Sequence, residues 1–229
     1  YFNYTDDAGS TFLASDVMLS SDSPGANASK FPRLVSDGSG NVVVVWEDLR
    51  RGFSDIRYNY SGNNGATWQA SDLWLDSDKG DFSSYEVSVV WGQGNRVHAA
   101  WRDFREGLPR VRVATSNDNG ATFGTGVLAS YSPGAATEPQ LAANGSGKVF
   151  VAFACDPDGL RDAYVNYSLD NGFSFQPDDL RMDISSPAGD AESFTPRLAV
   201  GPSGNAFVVW VDTRANDKEG DIYFNYNEE

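Results

Sequence analysis

A phrase of eight residues recurs four times along the chain, and this repeat limits the possible folds more than any other feature. The copies start at Thr5, Ser61, Ser116 and Ser168, and each ends in an aromatic residue. Each copy carries a glycine at its fifth position, at Gly9, Gly65, Gly120 and Gly172. The resulting spacing of roughly 50 residues indicates a fold assembled from similar consecutive units.

Two further patterns keep the same order and period. Trp-x-Asp-x-Arg occurs at 46–50, 101–105 and 210–214, and Phe-Ala-Cys-Asp-Pro replaces it at 153–157. A Gly-Asn or Gly-Lys turn precedes each of these segments by a few residues. Between the turns, β-branched runs and alternating apolar residues predict four short strands per unit, which in the first unit lie near 32–36, 42–46, 55–60 and 68–75.

Four-stranded units of this length are typical of propeller blades. We therefore predict an all-β fold, a single β-propeller domain over 1–229 built from four repeats of about 55 residues, each a four-stranded antiparallel blade. Three units are continuous in sequence, at 31–78, 85–130 and 138–183. The fourth combines 1–20 with 196–229.

The two ends of the chain carry the same strand sequence, Tyr-Phe-Asn-Tyr, at 1–4 and 223–226. Both segments correspond to the third strand of a unit, so a strand at 11–19 could pair with the C-terminal copy and close the ring. The strand at 1–5 is then surplus. Alternatively, the chain is a segment of a longer array, or its N-terminal strand contacts a neighbouring subunit and supports self-association.

Charge and residue usage exclude several classes of partner. The chain has 17 Lys and Arg against 32 Asp and Glu, a net charge of −15, which disfavours nucleic acid. No apolar run approaches the roughly 18 residues of a membrane helix, so membrane insertion is not expected. Cys155 and His98 are the only residues of their kinds. This excludes an internal disulfide and argues against a Ser-His-Asp triad, and we expect an inert thiol and a hydrogen-bonded structural histidine.

The repeated phrase, Ser-x-Asp-x-Gly-x-Thr-Phe/Trp, resembles the Asp-box of bacterial neuraminidase repeats, which also lies between the third and fourth strands. The resemblance spans essentially the whole chain and implies a sialidase-like propeller. The boxes are expected to be structural, because the Asp or Asn side chain accepts backbone N–H groups and the glycine adopts a positive φ. The residues concerned are Asp7, Gly9, Asn63, Gly65, Asp118, Gly120, Asp170 and Gly172.

The Trp-x-Asp-x-Arg segments end the second strand of three units. They should approach the face formed by the loops between second and third strands and between units, where ligands usually bind in the resembled family. One interpretation is a ring of charges that binds a polar ligand such as a sugar, and the other is an Asp–Arg pair that holds each loop. The residues are Asp48, Arg50, Asp103, Arg105, Asp212 and Arg214.

The resemblance also permits a test for sialidase chemistry, which uses three arginines, a tyrosine nucleophile assisted by a glutamate, and an aspartate acid/base. Arg33 and Arg197, at the starts of two first strands, are the weak candidates for the arginines. Val87 and Gln140 take the equivalent positions, a third arginine could come from a loop, and spacing assigns neither the Tyr/Glu pair nor the acid. The sequence therefore favours a recognition or structural module that binds a glycan or an extracellular protein. The alternatives are a sialidase-like glycoside hydrolase and a building block of an extracellular layer or filament.

An acidic loop supplies the candidate metal ligands. Asp76, Asp78 and Asp81 surround a glycine turn that resembles the start of a calcium loop, without the downstream glutamate. Asp217–Asp221 is a similar segment. No pattern in the sequence requires a cofactor. The acidic segments are interpreted either as Ca²⁺-binding loops or as solvated acidic loops.

Five Asn-x-Ser/Thr sequons bear on the location of the protein. They are Asn3, Asn27, Asn59, Asn144 and Asn166. They are either glycosylation sites or chance occurrences in a chain rich in Asn and Ser. With the acidic, aromatic-rich and cysteine-poor composition, they suggest an extracellular or cell-surface protein of a prokaryote.

Overall fold

The structure, a computed structural model, describes residues 1–5, 7–78, 80–184, 187–215 and 219–227, which form four antiparallel sheets. The first sheet contains β1 (Ser29–Ser36), β2 (Val42–Asp48), β3 (Asp55–Ser61) and β4 (Leu73–Trp74). The second contains β5 (Ser84–Trp91), β6 (Val97–Asp103), β7 (Arg110–Ser116) and β8 (Val127–Leu128). The third contains β9 (Thr137–Ala143), β10 (Val149–Cys155), β11 (Asp162–Ser168) and β12 (Leu180–Arg181). The fourth contains β13 (Ser193–Val200), β14 (Ala206–Asp212) and β15 (Asp221–Tyr226).

The fold class predicted from the repeat is confirmed: the protein is all-β and has a β-propeller fold. Strands pair in chain order within each sheet, and each sheet is one repeat unit. The fourth strands are shorter than predicted, since the segment expected at 68–75 pairs only over Leu73–Trp74. Within the described ranges, no helix is long and apolar enough to cross a bilayer.

The core lies between adjacent sheets and follows from the apolar second strands. The run Val42–Val45 is buried on both faces: Val43 and Val45 lie in the cluster shared with the second sheet, and Val44 lies in the cluster shared with the N-terminal segment. Val43, Val45 and Ile56 pack against Trp101 of the second sheet. Equivalent clusters join the second sheet to the third and the third to the fourth. Innermost strands of neighbouring sheets contact in order, β1 with β5, β5 with β9 and β9 with β13.

The described part of the N-terminal segment 1–20 packs on the first sheet. The backbone N–H of Phe2 donates to the Val17 carbonyl at 2.7 Å, and the Phe2 ring lies edge-on to Trp68 at 4.8 Å between centroids. Leu19 packs against Val44 and Trp46. The predicted unit of 1–20 with 196–229 is therefore not formed among the described residues, because this apolar surface of the first sheet takes up the N-terminal segment. The fourth sheet has β15 as its edge strand.

Candidate functional site

The innermost strand of every sheet contains a bulge at the same position. The bulge residues have positive φ values of 52°, 58°, 57° and 48°, at Phe31, Glu86, Glu138 and Thr195. The register against the second strand shifts at each of them. A positive φ at a non-glycine residue costs about 1–3 kcal/mol and persists only where surrounding contacts compensate for it.

Glutamate side chains supply these compensating contacts between sheets. The backbone N–H of Glu86 donates to Glu47 Oε1 at 2.7 Å, and that of Glu138 donates to Glu86 Oε2 at 2.6 Å. The Thr195 N–H donates in turn to the Glu138 carboxylate. We call Glu47, Glu86 and Glu138 the glutamate ladder. It connects the four sheets around a common centre and holds three of the four bulges, those at Glu86, Glu138 and Thr195.

A pocket of about 470 Å³ opens at this centre and takes residues from all four sheets. It is lined by the bulges, the residues after them and side chains of the second strands, namely Phe31, Arg33, Glu47, Tyr85, Glu86, Val87, Arg102, Glu138, Gln140, Thr195 and Arg197. The predicted candidates Arg33 and Arg197 are therefore brought together, and Arg102 joins them as a third arginine.

The three arginines differ in their partners. Arg102 forms an ion pair with Glu86 at 3.1 Å and lies 4.8 Å from the ring centroid of Phe104. Arg33 and Arg197 donate to the carbonyls of Pro32 and Pro196, at 3.1 and 2.9 Å, and neither pairs with a carboxylate among the described residues. Two guanidinium groups beside the pocket thus retain free donors. Burial raises the pKa of the Glu47 carboxyl above its usual range.

The register also corrects one expected equivalence. Arg33, Gln140 and Arg197 all face the second strand at corresponding positions, but the fourth member of this set is Ser88. The assignment of Val87 is wrong by one residue, because Val87 takes the position of Pro32, Pro139 and Pro196, directly after the bulge residue. Arg102 could have been found from strand alternation: it stands between Trp101 and Asp103 and so faces away from them.

The Trp-x-Asp-x-Arg segments form closed clamps. In the second sheet, Asp103 accepts from Trp101 Nε1 at 3.0 Å and from Arg105 Nε and Nη2 at 2.7 and 2.6 Å. The backbone N–H of Arg105 adds a fourth bond at 3.0 Å. Asp48 with Arg50 and Asp212 with Arg214 repeat this arrangement. These carboxylates are buried and fully hydrogen-bonded, and none of the six residues lines the central pocket, which favours the loop-holding interpretation over ligand binding.

The box turns have the geometry expected of structural turns. Asp118 accepts from the N–H and the hydroxyl of Thr122 at 2.9 and 2.6 Å, and Gly120 has a φ of 88°. Asp7 and Asp170 accept the same two bonds. Asn63 Oδ1 also accepts the Thr67 N–H, but its Nδ2 donates to the Thr67 hydroxyl at 2.9 Å. Gly9, Gly65 and Gly172 have φ values of 93°, 81° and 80°. Hydrogen bonds from Thr11 and Thr5 hold the pKa of Asp7 well below its usual range.

The predicted acidic loop lies against the start of β3. Single carboxylate oxygens of Asp55, Asp76 and Asp78 all lie within 4.8 Å of one another, and we call these residues the aspartate cluster. Burial raises the pKa of Asp55 to about 6 and that of Asp76 to about 7. Asp81 is exposed and stands outside the cluster, whereas Asp55 was not anticipated. The similar segment Asp217–Asp221 lies partly outside the described residues.

Three sequons are buried. Asn59 and Asn166 are 2 % and 0 % exposed, and their Nδ2 groups donate to carbonyl oxygens within the fold. Asn144 is also buried and caps a turn through its Oδ1. Glycan attachment at these three positions is therefore incompatible with the folded chain, because an acceptor amide must be exposed. Asn27 is exposed, and Asn3 is partly exposed.

The two single residues behave as expected. Cys155 is fully buried, and burial raises the pKa of its thiol to about 12, so it is present as an unreactive thiol. His98 is 1 % exposed and its Nδ1 lies 2.9 Å from Thr115 Oγ1. Neither residue lies at the central pocket.

Known structures share the fold, although no family model and no curated protein sequence matches the chain. A protein of unknown function from Dyadobacter fermentans has a TM-score of 0.64 at 12 % identity, over 87 % of this chain and 66 % of that one. A GH93 α-L-arabinofuranosidase of Fusarium graminearum has a TM-score of 0.61 at 15 % identity, over 88 % and 63 %. A Hadza microbial sialidase has a TM-score of 0.60 at 15 % identity, over 98 % and 49 %.

The fold is thus that of β-propeller glycosidases and sialidases. At a sequence identity of 12–15 %, the similarity concerns the fold alone. The chain spans between about half and two thirds of the length of these structures.

Proposed function

We propose that the protein is a recognition module that binds an acidic carbohydrate in the central pocket. The observation that supports this most directly is the pair Arg33 and Arg197, which lie beside the pocket without carboxylate partners among the described residues. In this chain, whose net charge is −15, most of the other arginines are paired with carboxylates. Guanidinium groups bind carboxylates through paired hydrogen bonds, so a sugar acid suits this site better than a neutral sugar.

The rest of the pocket fits a sugar ring. Phe31 and Tyr85 present aromatic rings, which pack against the apolar faces of sugars. The volume of about 470 Å³ is within the usual range for a small ligand. The glutamate ladder holds the backbone around the pocket, so the arginines stand on a fixed frame. Among the proteins that share the fold, one was crystallised with arabinobiose and another, a trans-sialidase of Ruminococcus gnavus, with oseltamivir carboxylate.

A glycan array and calorimetry test this proposal. We expect binding to glycans that end in sialic or uronic acids and not to their neutral counterparts. Arg33→Ala and Arg197→Ala should each weaken binding by about tenfold or more, the effect of losing one charged hydrogen-bonding partner. Arg96→Ala, in the turn before β6, is the matched control and should leave binding unchanged. Equal binding of neutral glycans, or indifference to both pocket substitutions, would contradict the proposal.

Sialidase-like hydrolysis is the second candidate, and one observation favours it. Tyr85, the buried Glu47 and a third arginine line the same pocket. Against it, the carboxylates of Glu47, Glu86 and Glu138 all already accept backbone N–H groups, and Arg102 is paired. We therefore expect no turnover of fluorogenic sialosides or arabinosides. Turnover that disappears in Glu47→Gln would establish hydrolysis in place of recognition alone.

A further inference from the structure

The aspartate cluster contains buried carboxylates without partners. Asp55 is fully buried, and neither of its carboxylate oxygens has a hydrogen-bond partner among the described residues. Asp76 is 1 % exposed; its Oδ2 accepts the Ile56 N–H at 2.9 Å, while its Oδ1 has no partner in the same part of the chain. Both carboxylate oxygens of Asp78 also lack a hydrogen-bond partner among the described residues. Buried charged groups are normally paired or bound to metal, and these oxygens lack such a partner among the described residues.

The Asp–Arg clamps show which partners a buried carboxylate has elsewhere in this chain. Asp103 has four hydrogen bonds, two of them from one guanidinium group. Near the aspartate cluster, the one ion pair among the described residues joins Asp78 to Arg105 Nη2 at 3.6 Å. Arg57, close in sequence to Asp55, directs its Nη1 to Asp72 at 2.7 Å. The three carboxylates of the cluster are thus left with little built-in positive charge.

In the second and third sheets, an arginine stands at a position equivalent to part of the aspartate cluster. The strand registers make Asp55 equivalent to Arg110 and Asp162, and Asp76 equivalent to Ser130 and Asp183. In the second sheet, the Arg110 guanidinium occupies the position and donates to the carbonyls of Ser132 and Gly134.

In the third sheet, Arg181 pairs with both aspartates, at 3.4 Å from Asp162 and 3.5 Å from Asp183. The first sheet has Trp74 where Arg181 stands, and adds a third carboxylate, Asp78. The first sheet therefore has three carboxylates, and no arginine at the sequence position of Arg110 or Arg181, where the second and third sheets have a guanidinium group.

We propose that Asp55, Asp76 and Asp78 bind a calcium ion. Ca²⁺–O distances of about 2.3–2.6 Å allow two ligand oxygens to be up to about 5 Å apart, which accommodates the spacing within the cluster. Carboxylates are hard ligands, and the cluster contains no histidine or cysteine, which disfavours zinc and copper. Ca²⁺ accepts irregular geometry, whereas Mg²⁺ requires an octahedron and retains several waters, for which a buried site has little room.

The bound ion has a structural consequence. It ties the start of β3 to the segment that leaves β4 for the second sheet, and Asp78 continues the connection to Arg105 of the second sheet. Calcium therefore stabilises the junction between the first two sheets. None of its three ligand residues lines the central pocket.

Thermal unfolding of the whole chain tests the site. After treatment with EDTA and buffer exchange, 1 mM CaCl₂ should raise the Tm by roughly 5 °C or more, and 1 mM MgCl₂ by much less. Asp55→Asn and Asp76→Asn should abolish the calcium shift. Because they remove repulsion between carboxylates, both should fold without the ion. Asp162→Asn, the equivalent substitution in the third sheet, is the matched control and should keep the full shift.

Terbium luminescence gives a readout that does not depend on the variants. Tb³⁺ should bind to the wild-type protein with sensitisation through tryptophan, of which Trp74 is two residues from Asp76, and Ca²⁺ should displace it. A Tm that does not respond to Ca²⁺, or a calcium shift that survives in Asp55→Asn, would overturn the proposal. Terbium that Ca²⁺ fails to displace would do the same.

Discussion

His98 is enclosed so tightly that its protonation opposes folding. A Cβ atom placed on Gly92 would lie 2.4 Å from its Nε2, and one on Gly172 would lie 2.9 Å from its Nδ1. The two glycines therefore leave only enough room for the ring. Burial, with a smaller contribution from Arg96, lowers the pKa of His98 to about 4.

This pKa predicts a loss of stability in mild acid. The unfolded chain takes up a proton on His98 below about pH 6.5, but the folded chain does so only near pH 4, so stability falls between these values and is unaffected above pH 7. The shift corresponds to about 3 kcal/mol. Urea unfolding from pH 7 to pH 4 should show this loss in the wild type relative to His98→Gln. Parallel pH profiles for the two proteins would contradict it.

The box turns act as elements that join neighbouring sheets. In the second sheet, a Cβ atom on Gly120 would lie 2.1 Å from Val43 Cγ2 of the first sheet. The turn therefore needs glycine for two independent reasons, the left-handed backbone and the close approach of β2.

Gly120→Val should lower the free energy of unfolding by about 2–5 kcal/mol, the sum of backbone strain and overpacking. Gly94→Val is the matched control, because Gly94 also has a positive φ, but a Cβ atom placed on it would meet nothing within 4 Å among the described residues. It should cost about 1–3 kcal/mol. Equal losses in the two variants in urea unfolding would show that contact with Val43 is unimportant.

The elements differ in how far the sequence determines them. Strand order, the box turns and the clamps follow from local patterns, because turn residues and alternation act over a few positions. The bulges do not, since Phe31, Glu86, Glu138 and Thr195 are not one residue type, and the last three are held by carboxylates from other sheets. Arg33 and Arg197 could be identified as candidates from the sequence. Their meeting with Arg102 depends on how the sheets are arranged around the pocket.

For the whole molecule, the N-terminal segment extends the stack of sheets beyond the first one. Phe2 packs on Trp68 and also lies against Gly65, where a Cβ atom would be 2.5 Å from its ring. The contact lies within one chain. Contact of this segment with a neighbouring subunit or with a blade of a longer array stays a prediction.

Phe2→Ala should lower stability by about 1–3 kcal/mol, because it removes a partly buried ring. Phe12→Ala, whose ring is 63 % exposed, should change stability by less than about 0.5 kcal/mol. Light scattering should give the same mass for both variants and the wild type. A lower mass for Phe2→Ala would instead support self-association through this strand.

The glutamate ladder has a direction. Each carboxylate precedes the amide it binds: Glu47 comes before the Glu86 N–H, Glu86 before that of Glu138, and Glu138 before that of Thr195. A chain leaving the ribosome therefore exposes every acceptor before its donor has been made. The order of translation is therefore the order in which these bonds can connect the four sheets, from the first to the fourth.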